Sequence, residues 1–311
     1  MKAAQINEYG GPESVKITET DQPPVADDQL LVEVRAAAVN PFDVKVSQGH
    51  ARQMAELKFP ATLGGDLSGV VAAVGSAVSG FEVGDEVYGL AGALSGHGSF
   101  AQFAPVAATS AGRKPSGLNF LEAAALPLAG VSAYQSLVET LQLKAGQKIL
   151  IHGGAGGIGS LAIQLAKHLG AHVATTAAAD DEAFVKELGA EVFIDYKGQK
   201  FQDVVKDYDA VFDTVGGDTL ANSYSVLKPG GALTTMAGQP DEALASKYQV
   251  TATGQFTRLN PERLAGVTKL VEDGDLKPVI DKTFPFEQTA EAMAYLAQGG
   301  HRGKVLINVS A

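Results

Sequence analysis

Residues 148–170 read KILIHGGAGGIGSLAIQLAKHLG and decide how the rest of the chain is interpreted. The apolar run Ile149–Ile151 predicts a strand, the glycines that follow predict a tight turn, and the apolar periodicity to Leu169 predicts a helix. Gly154, Gly156 and Gly159 satisfy G-x-G-x-x-G, a pattern that allows a sharp turn, close approach of the backbone to a pyrophosphate, and close helix–strand packing. The helix N-terminus offers free N–H groups to phosphates.

The segments that follow this loop decide its meaning, because 36 of the 311 residues are glycine and an isolated match is weak. Further strands and one helix are predicted directly after it. The strands are residues 171–176, 192–195, 210–213 and 232–236, and the helix is residues 181–188. Alternating strands and helices predict right-handed βαβ units and therefore a parallel sheet.

The charge balance argues against nucleic acid as a partner. The chain has 24 basic and 35 acidic side chains, a net charge of −11, and no Lys/Arg-rich run. An acidic protein that binds an anionic dinucleotide needs local positive groups, and Arg258, Arg302 and Lys304 are candidates.

Cysteine is absent, which excludes disulfides, thiolate nucleophiles and Cys-ligated zinc. The first residues, MKAAQINEYGG, lack the apolar core of a signal peptide, and no uncharged apolar run approaches the roughly 20 residues that span a bilayer. We therefore expect a cytoplasmic protein without a membrane partner.

The segments on either side of the central region differ from it. Residues 2–112 are short β-type runs separated by Gly, Pro and Asp, which predicts a β-barrel-like domain. Residues 118–141 have helical spacing, with Asn119 as cap and Pro127 dividing the segment. After about residue 260 the chain predicts two helices and a last strand, residues 304–309, which the sequence pattern alone assigns to no sheet.

Several motifs, in this order along the chain, resemble the zinc-free, quinone-oxidoreductase branch of the medium-chain dehydrogenase/reductase superfamily. They are Asn40-Pro41-Phe42-Asp43, GGDLSGVV at 64–71, VGDEVYG at 83–89, GSFAQF at 98–103, EAAALP at 122–127, the glycine loop, DTVGG at 213–217 and Gly303-Lys304-Val305. The resemblance covers nearly the whole chain.

This resemblance implies an α/β protein in which a Rossmann domain, a doubly wound parallel sheet, is inserted into a GroES-like β-barrel domain. The implied limits are 1–122 with 260–311 for the GroES-like catalytic domain and 123–259 for the Rossmann NAD(P)-binding domain. The last strand then belongs to the first domain, and the cofactor lies in the cleft between the two. Zinc enzymes of the family use Cys and His at the catalytic metal and four Cys in a structural lobe; without cysteine neither set exists here, so no metal is expected.

The resemblance also implies a reductase of quinones or of α,β-unsaturated carbonyls, in which conjugation delocalises the charge of an incoming hydride. Such a site has to position the acceptor and donate hydrogen bonds to its oxygen. The candidate catalytic residues are Asn40, Lys45 and His50. Their alternative interpretations are a cap on the turn before Pro41, a solvated strand lysine and a solvated loop histidine. Tyrosines that relatives carry after N-P-x-D are missing.

The coenzyme is expected to be NADPH, with NADH possible. No acid stands at the end of the second strand, at Thr175, Thr176 and Ala177, where NAD-specific folds place one, and Asp181 stands where some relatives have a phosphate-binding lysine. The expected cofactor contacts are Gly154, Ala155, Gly156, Gly157 and Ile158 at the pyrophosphate, Thr175, Thr176 and Ala177 at the ribose, Val215, Ala237, Gly238, Ala252, Thr253 and Gly254 at the nicotinamide, and Arg302 and Lys304 as cations.

Tyr224 and Lys228 fit the Y-x-x-x-K pair of short-chain reductases, but some 145 residues of β-type sequence before the glycine loop favour a structural role. His152 and the remaining histidines show no metal-ligand spacing and are interpreted as surface or packing residues. The alternative function is a dinucleotide-binding sensor with little catalysis, and relatives suggest a homodimer.

Overall fold

The N-terminal segment folds mainly into β-structure. The computed structural model describes residues 1–309, and its secondary structure is numbered here in chain order. This segment contains strands β1 Lys2–Ile6, β2 Lys16–Glu19, β3 Gln29–Val39, β4 Ala61–Thr62, β5 Asp66–Val74, β6 Glu86–Leu90, β7 Phe103–Ala107 and β8 Ala111–Arg113, with helices α1 Pro41–Ser47 and α2 Phe120–Ala124.

The central segment alternates helices and strands. It contains α3 Pro127–Tyr134, β9 Lys148–His152, α4 Gly157–His168, β10 His172–Ala177, α5 Glu182–Glu187, β11 Val192–Asp195, α6 Phe201–Val204, β12 Tyr208–Asp213, α7 Gly217–Ser223, β13 Leu227–Thr235, α8 Glu242–Tyr248 and β14 Thr251–Gly254. The last segment contains α9 Pro261–Glu272, β15 Ile280–Pro285, α10 Thr289–Gln298 and β16 Lys304–Asn308.

Contacts divide the chain into two compact units. Unit 1 contains residues Met1–Leu128 and Leu259–Glu272, and the described chain from Pro278 onward; unit 2 contains Ala129–Arg258 and Asp273–Lys277. The functional domain limits of 1–122 with 260–311, and of 123–259, stay predictions. None of the helices within residues 1–309 is both long and apolar enough to cross a membrane.

Unit 1 is built around the long strand β3. Its larger sheet has the order β15-β16-β3-β5-β6-β8, with β7 also paired to β3, and a second sheet has the order β2-β1-β4. The last strand pairs antiparallel with β3, Val305 opposite Val39 and Asn308 opposite Ala36. The terminal strand therefore belongs to this unit, as the resemblance implied. Its apolar residues join one buried cluster with those of β3 and α10, Val305 and Ile307 among them.

Helix α1 begins at the motif N-P-F-D. The backbone N–H of Asn40 donates to the Asp43 carboxylate over 2.7 Å, and Pro41 occupies the first helical position, where its missing N–H costs nothing. Lys45 therefore lies on a helix, and its interpretation as a strand lysine is wrong. The predicted cap at Asn119 is confirmed, since its side chain accepts from the Glu122 N–H at the start of α2.

Unit 2 is a six-stranded parallel sheet with the order β11-β10-β9-β12-β13-β14. The central strand β9 pairs with β10 on one side and β12 on the other, and Ile149, Leu150 and Ile151 are fully buried. Such a run is typical of a parallel strand covered on both faces. The chain direction makes all six carboxyl ends meet at one edge of the sheet, where ligands of doubly wound sheets bind.

Candidate active site

The glycines of the loop between β9 and α4 are needed for different reasons. A Cβ at Gly154 would lie 2.0 Å from the Thr175 hydroxyl oxygen, and one at Gly159 would lie 2.1 Å from the Gly153 carbonyl oxygen. Both glycines are therefore required for helix–strand packing. A Cβ at Gly156 would meet only the Gly153 carbonyl oxygen, at 3.4 Å. The protein leaves open space beside Gly156.

That open space lies at the N-terminus of the twelve-residue helix α4. Gly156 is the N-cap residue, and no side chain caps the helix. The N–H groups of the first turn, at Gly157 and Ile158, have no partner within the helix and point out of its end. Donors beside an open, side-chain-free position suit a pyrophosphate, so the residues present fit a dinucleotide.

The end of β10 holds the glycine loop in place. The Gly154 N–H donates to the Thr176 carbonyl oxygen over 3.0 Å, and the Gly153 N–H donates to the Thr176 hydroxyl oxygen over 3.2 Å. Thr175 donates its hydroxyl to the Ile151 carbonyl oxygen over 2.7 Å and is fully buried. The contacts of both threonines position the loop; their approach to a ribose stays a prediction.

His152, interpreted from sequence as a surface or packing residue, is part of this arrangement. It is fully buried, with one ring nitrogen 3.1 Å from the Thr176 hydroxyl and the other 3.0 Å from the Ser223 hydroxyl. Burial lowers the pKa of His152 to about 4, against a smaller opposing effect of Asp213. The imidazole is therefore neutral at pH 7 and links β9, β10 and α7 through hydrogen bonds.

Asp213, at the end of β12, was also missed as a site residue. Its fully buried carboxylate accepts from the Val215 and Gly216 N–H groups at 3.0 and 3.1 Å and from the Thr235 hydroxyl at 2.7 Å. These bonds shape the turn after β12, where Gly216 has φ +80°. The Asp213 side chain fixes the segment that carries Val215.

The residues expected at the nicotinamide lie on adjacent strand ends of unit 2. Thr235 at the end of β13 stands between Asp213 of β12 and Gly254 of β14 in the strand register. A Cβ at Gly216 would lie 2.0 Å from the Ala237 carbonyl oxygen, so the turns after β12 and β13 pack directly on each other. Val215 is 54% exposed at this edge. The structure thus brings together Val215, Ala237, Gly238, Ala252, Thr253 and Gly254.

In unit 1, Asn40, Asp66 and Lys304 form a buried ion-pair cluster. The Lys304 ammonium lies 3.0 Å from an Asp66 carboxylate oxygen and 2.5 Å from the Asn40 amide oxygen. The Asn40 amide nitrogen donates to Asp66 over 2.9 Å, and the Leu128 N–H donates to the other Asp66 oxygen over 2.8 Å. None of the three side chains is more than 5% exposed. Because the amide nitrogen carries two hydrogens, one N–H of Asn40 is left for another acceptor.

Lys304 was expected to contact the dinucleotide as a local cation. The contacts that the structure gives its ammonium are with Asp66 and Asn40, and its role toward the cofactor stays a prediction. Arg302, two residues earlier, is exposed, and its backbone N–H donates to Asp281. The buried charge of Lys304 is balanced inside unit 1, which favours an orienting role toward Asn40.

A second carboxyl group, Asp43, lies beside this cluster. Burial, together with the charge of Asp66, raises the pKa of Asp43 to about 7, although the Asn40 N–H and Lys304 oppose the rise. The folded protein therefore keeps a proton on Asp43 well above the pH at which an unfolded chain releases it. The ionisation of Asp43 near neutral pH is therefore linked to the stability of the folded protein.

We expect Asp43→Asn to flatten the pH dependence of stability. Between the unfolded pKa of 3.8 and the folded value of about 7, the folded state binds the extra proton, so the unfolding free energy of the wild type falls as pH rises. Between pH 4.5 and 7.5 this fall should be about 3 kcal/mol smaller in the variant than in the wild type. Urea unfolding at pH 4.5 and 7.5 measures it, with the exposed Asp203→Asn as control. Equal changes in wild type and Asp43→Asn would contradict this assignment.

Lys45 and His50 stand apart from the cluster. Lys45 lies on the exposed face of α1, and His50 is exposed just after the helix, its N–H donating to the Lys45 carbonyl oxygen. Within residues 1–309 no three His, Asp or Glu side chains form a group that could hold a metal ion. Tyr224, of the Y-x-x-x-K pattern, is fully buried and its hydroxyl accepts from the Asp241 N–H, in agreement with a structural role.

Comparisons with known proteins agree with this geometry. Residues 26–116 match the alcohol dehydrogenase GroES-like domain family, and residues 188–307 match the zinc-binding dehydrogenase family. The chain is 38% identical to 2-methylene-furan-3-one reductase of Solanum lycopersicum, over 99% of the chain and 79% of the relative. It is 37% identical to the chloroplastic NADPH-dependent alkenal/one oxidoreductase of Arabidopsis thaliana, over the same shares.

Among solved structures, the quinone oxidoreductase from Coxiella burnetii is similar over 99% of both chains, with 35% identity and a TM-score of 0.93. A parallel sheet with a glycine loop at its carboxyl edge, in a chain that also has a GroES-like domain, defines a dinucleotide-dependent oxidoreductase. The chain belongs to the zinc-independent, quinone oxidoreductase-like branch of the medium-chain dehydrogenase/reductase superfamily.

Proposed function

We propose that this protein is an NADPH-dependent reductase of α,β-unsaturated carbonyls and quinones. The observation that carries the proposal is the open space beside Gly156, at the uncapped N-terminus of α4. Gly154 and Gly159 are required by the packing of the protein itself, whereas Gly156 has open space beside it. A glycine of the second kind marks the position at which a ligand approaches the backbone. NADPH is the coenzyme that the Arabidopsis relative carries in its name.

The residues of unit 2 are proposed to hold the cofactor. Gly157 and Ile158 would donate backbone N–H groups to the pyrophosphate, and Ala155 and Gly156, whose own N–H donates to the Gly153 carbonyl oxygen, would line it. Thr176 and Ala177 would lie near the adenosine ribose, and the edge with Val215 and Ala237 near the nicotinamide. When bound, NADPH supplies a hydride to the acceptor. The protein's task is to orient the two and to stabilise the charge that develops on the acceptor oxygen.

The acceptor class follows from the relatives and from the missing metal ligands. The tomato and Arabidopsis relatives are named for a furanone and for alkenals and enones, and the Coxiella protein for quinones. In each, a conjugated system spreads the charge of an incoming hydride, so hydrogen bonds can replace a Lewis acid. We propose that this protein reduces the same two classes.

Unit 1 is proposed to supply the catalytic side chains. Asn40 keeps one amide N–H that no residue of its cluster uses, and Lys304 and Asp66 fix the direction of the amide. This N–H would donate to the acceptor oxygen. Lys45 and His50 are exposed and are proposed as sources of the proton that completes the reduction, because each side chain carries nitrogen-bound hydrogen that it can donate.

A coenzyme oxidation assay tests the proposal. Purified protein is mixed with NADPH and a panel of quinones and 2-alkenals, and absorbance at the nicotinamide band is followed. Consumption that depends on both protein and acceptor is expected. Tight NADPH binding without turnover across the panel would contradict the reductase and favour a dinucleotide-binding sensor.

Two further properties stay predictions: a homodimer and a cytoplasmic location. Light scattering coupled to size-exclusion chromatography should give about twice the 32.1 kDa chain mass. A mass of one chain would contradict the dimer.

A further inference from the structure

We propose that Lys200 recognises the 2′-phosphate of NADPH and is the residue that sets coenzyme preference. The inference rests on the proposed function and concerns the same cofactor, but it assigns a residue that the sequence patterns did not indicate. Lys200 follows β11, whereas coenzyme choice in such sheets is ordinarily decided directly after the second strand, here β10.

The first observation is a cavity in unit 2 of about 360 Å³. It opens where β10 and β11 end and is bounded by residues that follow β11 and by helix α7. Its lining residues include Thr176, Tyr196, Lys200, Phe201, Asp218 and Asn222. Tyr196 is 60% exposed at this cavity, so an aromatic face and a cation border the same space.

The second observation is a continuous path of contacts from the glycine loop to the cavity. The Gly154 N–H bonds to the Thr176 carbonyl oxygen, and Ala177, the next residue, pairs with Asp195 across the strands. The Tyr196 N–H then donates to the Ala177 carbonyl oxygen over 3.2 Å. A ribose that contacts the end of β10 therefore has the β11 end and its following turn as its nearest neighbours.

The third observation is the distribution of charge around this position. The β10 side offers Ala177, Ala178 and Ala179 and then two acids, Asp180 and Asp181, so no cation there can meet a phosphate. On the β11 side, the Lys200 side chain forms no ion pair or hydrogen bond with any residue among 1–309. An ammonium without a carboxylate partner at the rim of a cavity suits a phosphate and gains nothing from a ribose hydroxyl of NADH.

The proposal predicts that loss of the Lys200 charge lowers kcat/KM for NADPH, which carries the 2′-phosphate, and not for NADH. Lys200→Ala should lower kcat/KM for NADPH about tenfold, because a charge-assisted hydrogen bond is lost. The kcat/KM for NADH should stay within about twofold of the wild-type value. Lys200→Arg should keep the preference for NADPH. Lys206→Ala removes the same charge from an exposed lysine outside the cavity and should match the wild type.

Binding of two cofactor fragments gives a readout that needs no turnover. Calorimetry on the full chain should show adenosine 2′,5′-bisphosphate binding about tenfold more tightly than 5′-AMP, and Lys200→Ala should lose this difference. A wild type without the preference, or a Lys200→Ala variant that keeps it or weakens both fragments equally, would overturn the inference.

These outcomes separate the inference from the proposed function. A wild type that prefers the bisphosphate yet reduces no acceptor supports the role of Lys200 and contradicts the reductase. A wild type that reduces acceptors equally well with NADH and NADPH supports the reductase and overturns the role of Lys200.

Discussion

Gly156→Asp is expected to weaken NADPH binding by more than about 100-fold while the protein remains folded. A carboxylate at this position would stand where the pyrophosphate approaches, and two like charges about 4 Å apart repel by several kcal/mol at the effective dielectric of a protein surface. Calorimetric titration with NADPH measures the loss. Unchanged affinity would remove Gly156 from the cofactor site.

The fold should tolerate Gly156→Asp, because the backbone conformation and the space at this position both accept a side chain. Gly156 has φ −76°, which any residue adopts, and the nearest atom to an added Cβ is 3.4 Å away. Aspartate is also among the preferred residues at a helix N-cap. The unfolding free energy should therefore stay within about 0.5 kcal/mol of the wild type or rise.

Two control variants separate charge from size and binding from folding. Gly156→Ala adds bulk without charge and should weaken NADPH binding less than Gly156→Asp. Gly159→Ala places a Cβ 2.1 Å from the Gly153 carbonyl oxygen and should instead destabilise the protein, by about 2 kcal/mol or more. If Gly156→Asp lost stability as Gly159→Ala does, its loss of binding would carry no information on the ligand.

Lys304→Met is expected to destabilise the protein by about 3–5 kcal/mol. The substitution leaves the fully buried Asp66 carboxylate without its cation, and an uncompensated buried charge costs this much. Strand β16 would also lose a link to the start of β5. Urea unfolding at pH 7 measures the change, and a loss below about 1 kcal/mol would contradict the ion pair.

The double variant Asp66→Asn, Lys304→Met is the matched control. It removes both charges together, and asparagine keeps an oxygen to accept from the Leu128 N–H. We expect it to recover about 2 kcal/mol relative to Lys304→Met, since a missing pair costs less than a single buried charge. The two single substitutions and the double one form a cycle that isolates the coupling between the two side chains.

Much of unit 2 could be predicted from the sequence, because its signals are local. The run Ile149–Ile151, the glycines and the helix that follows determine one strand–turn–helix unit, and the strand predicted at 192–195 has the same limits in the structure. The terminal strand could not be placed in this way. Its partner β3 lies more than 260 residues earlier, so only the resemblance to the family indicated its sheet.

The glycine loop was predicted, but the polar groups that support it were not. His152 and Asp213 acquire their roles from Ser223 and Thr235, 71 and 22 residues away, and no periodicity shows such pairs. A signal was available for one missed element. N-P-F-D is an N-cap, proline and acid sequence, which would have predicted helix α1 and moved Lys45 from a strand to a helix.

Deuterium transfer tests the central claim most directly. A 2-alkenal is incubated with the protein and NADPH that carries deuterium at both hydrogens of nicotinamide C4, and the product is examined by mass spectrometry and NMR. Direct hydride transfer predicts a saturated aldehyde with one deuterium at the former β-carbon and a solvent proton at the α-carbon. A saturated aldehyde without deuterium at the β-carbon, or no saturated aldehyde at all, would contradict the account.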